Sequence, residues 1–275
     1  MKPMTRNFAI LAVLGLLAAG ALGGSVVFAK KEAAAAHRLR SAAIAEAARA
    51  SIQEALDEHL GGLADLSMAF EASPPSSADD YRELAVRATV QGPAFAAVNF
   101  LNHLFIETFV YPSGPNLAVS GLDLKTRSDA LPAAHRAVAS HEPAVTDLVA
   151  LAQGGQGFLA YVPVRRGNRW EGLVEGALDR DVFGRRYTAP AAPPRYDLSL
   201  MDESSVRPFY ETAARQDDPF RGAYDSFFTL RFADRRWWGV LHPQSPPTVL
   251  GPLVGVMLLE MALVWAIARK ILKRG

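Results

Sequence analysis

Six histidines, at positions 37, 59, 103, 135, 141 and 242, are the residues of this chain best suited to hold a metal or relay a proton. Only His135, His141 and Glu142 cluster, and they lack the spacing that puts two imidazoles on one helical face, so no metal site is expected. There is no cysteine, which removes disulfides, iron-sulfur clusters, thiol catalysis and cysteine-based zinc sites together. Gly154-Gly155-Gln156-Gly157-Phe158 is rich in glycine but lacks the carboxylates a metal- or phosphate-holding turn needs, so it reads as a turn between two strands. No P-loop, glycine-x-serine-x-glycine elbow or dinucleotide fingerprint occurs. The chain is therefore read as a non-enzyme without a cofactor.

Lys+Arg 29 against Asp+Glu 28 gives a net charge of +1. Lys2, Arg6, Arg269, Lys270, Lys273 and Arg274 lie at the chain ends, and without them the centre is mildly acidic. Nucleic-acid affinity rests largely on Lys and Arg neutralising phosphates, so nucleic acid is excluded as a partner. With 275 residues, 50% of them hydrophobic, the chain can bury one or two globular cores.

Phe8 to Phe28 runs without a charge behind Lys2 and Arg6, long enough to cross a hydrocarbon core about 30 Å thick. A signal peptide cut after Val27 and Ala29 is the competing reading, but the stretch exceeds the usual length of such an apolar region. Val249 to Ala268 is a second apolar run with one charge, Glu260, and the four bases beyond it place the C-terminus in the cytoplasm. Two spans put both termini inside and residues 30–246 in the periplasm, with Lys30 and Lys31 weighing mildly against this orientation. Gly15, Ala19 and Gly23, and Gly251 and Gly255, fall at the four-residue spacing that lets membrane helices pair. A homodimer is expected, although small residues are also common in membrane helices. Glu260, near mid-bilayer, is a candidate transmembrane signalling residue because a carboxylate there needs a partner.

Between the spans, Leu39, Ile52, Leu56, Leu60, Leu63, Leu66 and Phe70 recur mostly at three or four residues, the period of a stalk helix continuing the first span. Gly61-Gly62 weakens it, and Ser73-Pro74-Pro75-Ser76 ends it. A short helix over 78–90 follows, then strands over 96–101 and 104–110, a turn at Pro112-Ser113-Gly114-Pro115, a weaker helix over 128–140, and strands over 144–151, 157–164 and 170–178. Alanine and proline at 189–194 mark a boundary before strands over 196–201, 226–232 and 235–241. This order is mixed α+β rather than an alternating parallel fold. The last segment is too short for a comfortable core of its own and is expected to lean on the stalk.

Tyr111-Pro112, Gly114 and Asn116 precede Gly121-Leu122-Asp123-Leu124, then come Ala144-Val145-Thr146, Leu151 with Gln153-Gly154-Gly155, and Tyr161-Val162-Pro163-Val164. This ordered set resembles the CHASE extracytoplasmic sensor domain. The similarity covers residues 79–187 and continues weakly through Tyr196-Asp197-Leu198 and Trp237-Trp238-Gly239. It implies a long N-terminal helix plus two PAS-like units flanked by two transmembrane helices. The expected divisions are a cytoplasmic N-terminus (1–7), span one (8–28), stalk (29–72), membrane-distal unit (73–188), linker (189–194), membrane-proximal unit (195–246), span two (247–268) and basic tail (269–275).

In the plant cytokinin receptors of this family an aspartate of the leucine-aspartate segment binds an adenine-type ligand, and Asp123 matches that position. Chemically, a carboxylate can accept two amine hydrogens and fix the polar edge of a small molecule in an apolar pocket. The bland role for Asp123 is a turn cap. Thr146 falls near the family's second pocket contact, and Tyr111, Asn116, Gln153 and Tyr161 could line the same cavity or serve as structural hydrogen bonders. The resemblance implies a membrane-anchored periplasmic sensor of the bacterial inner membrane that binds a small molecule. Only Gly275 follows Arg274, so output is expected through a cytoplasmic or membrane kinase or cyclase partner. An envelope scaffold keeping the fold without a ligand is the alternative.

Overall fold

A computed structural model describes residues 3–114, 116, 119–212, 222, 224–244 and, within 254–269, residues 254–255, 258–259, 261–262, 265–266 and 269, with side chains from Gly23 onward. Met1–Ser41 with Ser245–Gly275 form one unit and Ala42–Gln244 another. Helix α1 runs over Pro3–Ala72 and so contains residues 8–28. Among the described residues no helix is long and apolar enough to cross a membrane. Glu260 and most of 249–268 lie outside the described residues.

The expected stalk periodicity becomes the buried strip of α1. Ile52, Leu56, Leu63, Leu66 and Phe70 face the core, while Leu39, further up the same helix, is 75% exposed. Helix formation continues through Gly61-Gly62, and the second glycine has a packing reason. A side chain at Gly62 would come within 3.0–3.2 Å of Gln91 and the Ala88 carbonyl on α2 (Ala78–Gln91), so glycine there lets the two helices approach. Helix α2 opens on a capping box in which the Asp80 N–H donates to Ser77 Oγ and the Ser77 N–H donates to Asp80, both at 3.1 Å.

The first sheet contains β1 (Phe95–Asn102), β2 (Glu107–Tyr111), β3 (Ala144–Val145), β4 (Val149–Ala150), β5 (Gln156–Arg166) and β6 (Arg169–Asp179). Its order is β2-β1-β6-β5-β3, with β4 also on β5, and all its pairings are antiparallel. The strand expected over 144–151 is split in two. Past Val145 the Leu159 N–H bonds the Thr146 hydroxyl at 3.0 Å rather than its carbonyl, which ends the ladder. Because side chains alternate along a strand, Val98, Phe100, Phe158, Ala160 and Val174 point toward α1, whereas Ala97, Leu101, Leu159, Tyr161 and Leu173 point toward α3 (Leu131–Ser140).

Residues 180–191 fold as α4 (Arg180–Phe183), a wide turn over Gly184–Thr188 and α5 (Ala189–Ala191), so the expected linker is partly helical. Asp179 starts this segment by accepting the N–H groups of Asp181 and Val182, both at 2.8 Å. The second sheet has the order β8 (Tyr210–Glu211), β7 (Tyr196–Asp202), β10 (Arg235–Pro243), β9 (Ser226–Phe232). Both sheets share one core. The fully buried Trp237 of β10 lies 4.7 Å from the Phe158 ring of β5 and 4.7 Å from Phe209. Gln53 of α1 pairs with the Arg231 backbone through two hydrogen bonds of 2.8 Å, so the second sheet leans on the stalk.

Leu56→Ala is expected to cost about 2–5 kcal/mol, the range for emptying a tight core site. Denaturant melts followed by tryptophan fluorescence and by far-UV circular dichroism should shift together. Separate transitions for the two signals would refute the single core.

Candidate ligand site

Asp123 stands just before a single 3₁₀ turn at Leu124–Thr126. Its carboxylate accepts the Lys125 N–H at 3.0 Å, and its carbonyl accepts the Thr126 hydroxyl at 2.7 Å. It also bridges to Ile106. The segment 121–123 is tied to the start of β2, since the Glu107 N–H donates to the Leu122 carbonyl at 3.0 Å and the Gly121 N–H to the Glu107 carbonyl at 2.9 Å. A half-buried turn cap thus lies beside the first residue of β2. Asn116 is buried and donates to the Pro112 carbonyl at 2.8 Å and the Ala96 carbonyl at 3.4 Å, while its Oδ1 has no partner.

The other expected residues are spread more widely. Thr146 is buried with its hydroxyl spent on the Leu159 N–H. Gln153 is half-buried in the turn between β4 and β5. Tyr111 pairs with Val98 and packs on the α1 side of the sheet, whereas Tyr161 lies on the α3 side, so the sheet separates the two phenols.

The Tyr161 face carries groups that the sequence reading passed over. Asn99 on β1 is paired with Glu175 on β6, and Glu175 with Tyr161 on β5, so the three form a row across the sheet. Glu107 is paired with Leu101 and stands on the same face. Glu107 and Glu175 are only 2% and 3% exposed. Asn99 Nδ2 donates to Glu175 Oε1 at 2.9 Å, which leaves Asn99 Oδ1 and Glu107 Oε2 without donors. The Tyr161 hydroxyl sits beside Glu175. Burial, then the neighbouring Glu175 charge, pushes the Glu107 carboxyl well above the ordinary range, and burial raises Glu175 too. Arg127, the cation that acts on Glu175 among the described residues, is already engaged: it donates to both Asp129 oxygens at 2.9 Å and to the Ala150 carbonyl at 2.9 Å. The available signal was a glutamate at an inward position of the apolar run Leu173-Val174-Glu175-Gly176-Ala177. Nothing in one dimension joins it to Glu107.

A second buried group lies on the second sheet. His242 has Nδ1 2.9 Å from Asp225 Oδ2 and Nε2 3.2 Å from Ser199 Oγ. These are the residue types of a hydrolytic relay, but Ser199 is 2% exposed and its hydroxyl also faces Glu211 at 3.4 Å. A nucleophile must meet its substrate, and this one is enclosed. Among the described residues no group of three or more histidine, aspartate or glutamate side chains could hold a metal.

The raised carboxyls have a consequence for stability. A carboxyl whose folded affinity for protons exceeds its unfolded one contributes stability that is full below its ordinary value, here 4.5, and is lost as pH rises through the raised value. Glu107→Gln is therefore expected to leave the unliganded chain about as stable as wild type near pH 4.5 and more stable by on the order of 1–3 kcal/mol at pH 8. Melting temperatures of the two proteins that stay parallel from pH 4.5 to 8 would refute this.

The fold has solved counterparts. An extracellular ligand-binding receptor from Desulfohalobium retbaense DSM5692 aligns with a TM-score of 0.60 at 10% identity over 72% of this chain, which spans 39% of that one. The ligand-binding domain of the Pseudomonas aeruginosa PAO1 amino-acid chemoreceptor PctC, in complex with GABA, gives 0.53 at 15% identity over 73% of this chain and 96% of that one. The ligand-binding domain of the Pseudomonas fluorescens chemoreceptor CtaA, in complex with L-valine, gives 0.55 at 13% identity over 76% and 98%. At such identities the likeness is one of fold. No curated protein matches the sequence. The CHASE domain family model matches residues 64–210, more than half of the chain and the whole stretch from the end of the stalk through the first sheet to β8, and the chain therefore belongs to the CHASE domain family.

Proposed function

We propose that this chain is a membrane-anchored periplasmic sensor whose first sheet binds a small molecule on its α3 face and passes the event to the cytoplasm. The observation that carries the reading is the family match over the unit in which a row of buried polar side chains lies under the segment holding Asp123. Amino acids are the first class to test, because GABA and L-valine occupy the domains of PctC and CtaA. Asp123, Asn116 and Tyr161 are the expected residues assigned to the ligand, and Thr146, Tyr111 and Gln153 hold the surrounding frame.

In this proposal residues 8–28 and 249–268 are the two spans of an inner-membrane protein with both termini in the cytoplasm, Glu260 lies within the second span, and the chain works as a homodimer. Sensing needs two arrangements that bind the ligand unequally, since equal affinity shifts nothing. Output passes to a kinase or cyclase partner, and the role is sensing rather than catalysis.

The test is thermal unfolding of the full chain in detergent against a library of amino acids, amines, adenine derivatives and organic acids. A ligand at 100 times its dissociation constant stabilises the folded state by about 2.7 kcal/mol. Asp123→Ala should abolish the shift in melting temperature. If it only lowers stability by about 1 kcal/mol, as for a lost cap, and leaves the shift intact, Asp123 is a turn cap alone. No shift from any compound would favour the envelope-scaffold role over sensing.

A further inference from the structure

We propose that the ligand carries a protonated amine and that Glu107 and Glu175 are the groups that receive it. This deepens the sensing role above and rests on it. The two carboxyls come from β2 and β6, in a face otherwise built of Ala97, Leu101, Leu159, Leu173 and Ala177. Two carboxyls buried together without a cation are costly, and natural sequences rarely keep them.

The unmet hydrogen bonds describe the missing partner. Glu107 Oε2 and Asn99 Oδ1 have no partner within hydrogen-bonding geometry, and Glu175 Oε1 receives the Asn99 amide. The Tyr161 hydroxyl is fully buried beside Glu175. Among the described residues the site therefore brings two carboxyls together with no cation paired to either. A primary ammonium brings three N–H donors and one charge, and the apolar face around it suits a short aliphatic remainder. Among the described residues no side chain fills the role, because Arg127 is bound to Asp129 and the Ala150 carbonyl. A bare metal ion fits less well, since among the described residues no group of three ligating side chains comes together.

Among the described residues, the charged and titratable groups around the pair are Tyr161 on β5, Tyr81 on α2, and Asp123, Arg127 and Asp129 flanking the 3₁₀ turn. Tyr81 and Tyr161 are held neutral by burial, and Arg127 and Asp129 neutralise each other. The protons that respond to an entering cation are then those on the glutamates. Binding should release protons, and affinity should rise with pH while the amine itself stays protonated.

The experiment is isothermal titration of the full chain with GABA, L-leucine, L-arginine and n-butylamine, with the N-acetyl form of each, and with butyrate, from pH 5 to 8 and in two buffers of different ionisation enthalpy. The expected result is binding of at least one free amine and of none of the acetylated forms, with proton release. Glu175→Gln and Glu107→Gln should each weaken binding by about tenfold or more, with circular dichroism confirming that each variant folds. A compound without an amine that binds equally to wild type and both variants would overturn the inference while leaving the sensor role standing. Amine binding that is unchanged in both variants and independent of pH would overturn it as well, assigning the pair a structural shared proton. Binding of nothing by the wild type would overturn the inference, and the sensor role would fall with it only if the wider library of the thermal test also gave no shift.

Discussion

Both sheets of this protein close on one apolar strip of α1. Ile52, Leu56, Leu63, Leu66 and Phe70 supply that strip, and residues from both sheets complete it, with Phe158 and Trp237 in ring contact where the sheets meet. Apolar burial at roughly 25 cal/mol per Å² is what lets so short a second sheet fold at all. The Gln53 side chain adds direction to this packing by pairing with the Arg231 backbone on β9. Gly62 lets α2 approach closely enough to seal the other end.

Committing one face of the first sheet to that core has a consequence for its other face. The α3 side is covered by Ala130, Ala133, Ala134 and Ala137 and by the segment around the 3₁₀ turn. Such short side chains cannot themselves satisfy polar groups beneath them. Asn99, Glu107, Tyr161 and Glu175 lie under this cover, where unmet hydrogen bonds and raised carboxyl proton affinities coincide. Proteins commonly break the rules of core design where they act on something, and stability is spent there.

The cover is held from the second sheet. Asp234, in the β9–β10 hairpin, accepts Arg136 Nε of α3 at 2.8 Å and the Val145 N–H of β3 at 2.8 Å. Its neighbour Arg235 joins Asp147, just past β3, to Asp202 at the end of β7. Individual exposed ion pairs stabilise little, but these tie the helix over the polar row to the sheet that rests on α1. A change in the position of α3 therefore has a direct mechanical partner in the second sheet.

Much of this was legible along the chain. The stalk period, the stop at Ser73-Pro74-Pro75-Ser76, and the strands over 226–232 and 235–241 follow from patterning that acts over a few residues. The ordered motifs around Asp123 and Tyr161 were enough to point to the CHASE family. The tertiary structure decided which of the named residues share a face. It put Tyr111 and Tyr161 on opposite sides of one sheet, made Asp123 a turn cap beside β2, and used the Thr146 hydroxyl to end a strand. It also joined Glu107 to Glu175, far apart in sequence and each unremarkable alone. Local preference and periodicity are short-range properties that a sequence displays directly. The burial of a charge and the company it keeps depend on strand order and register, and these exist only once the sheet has formed.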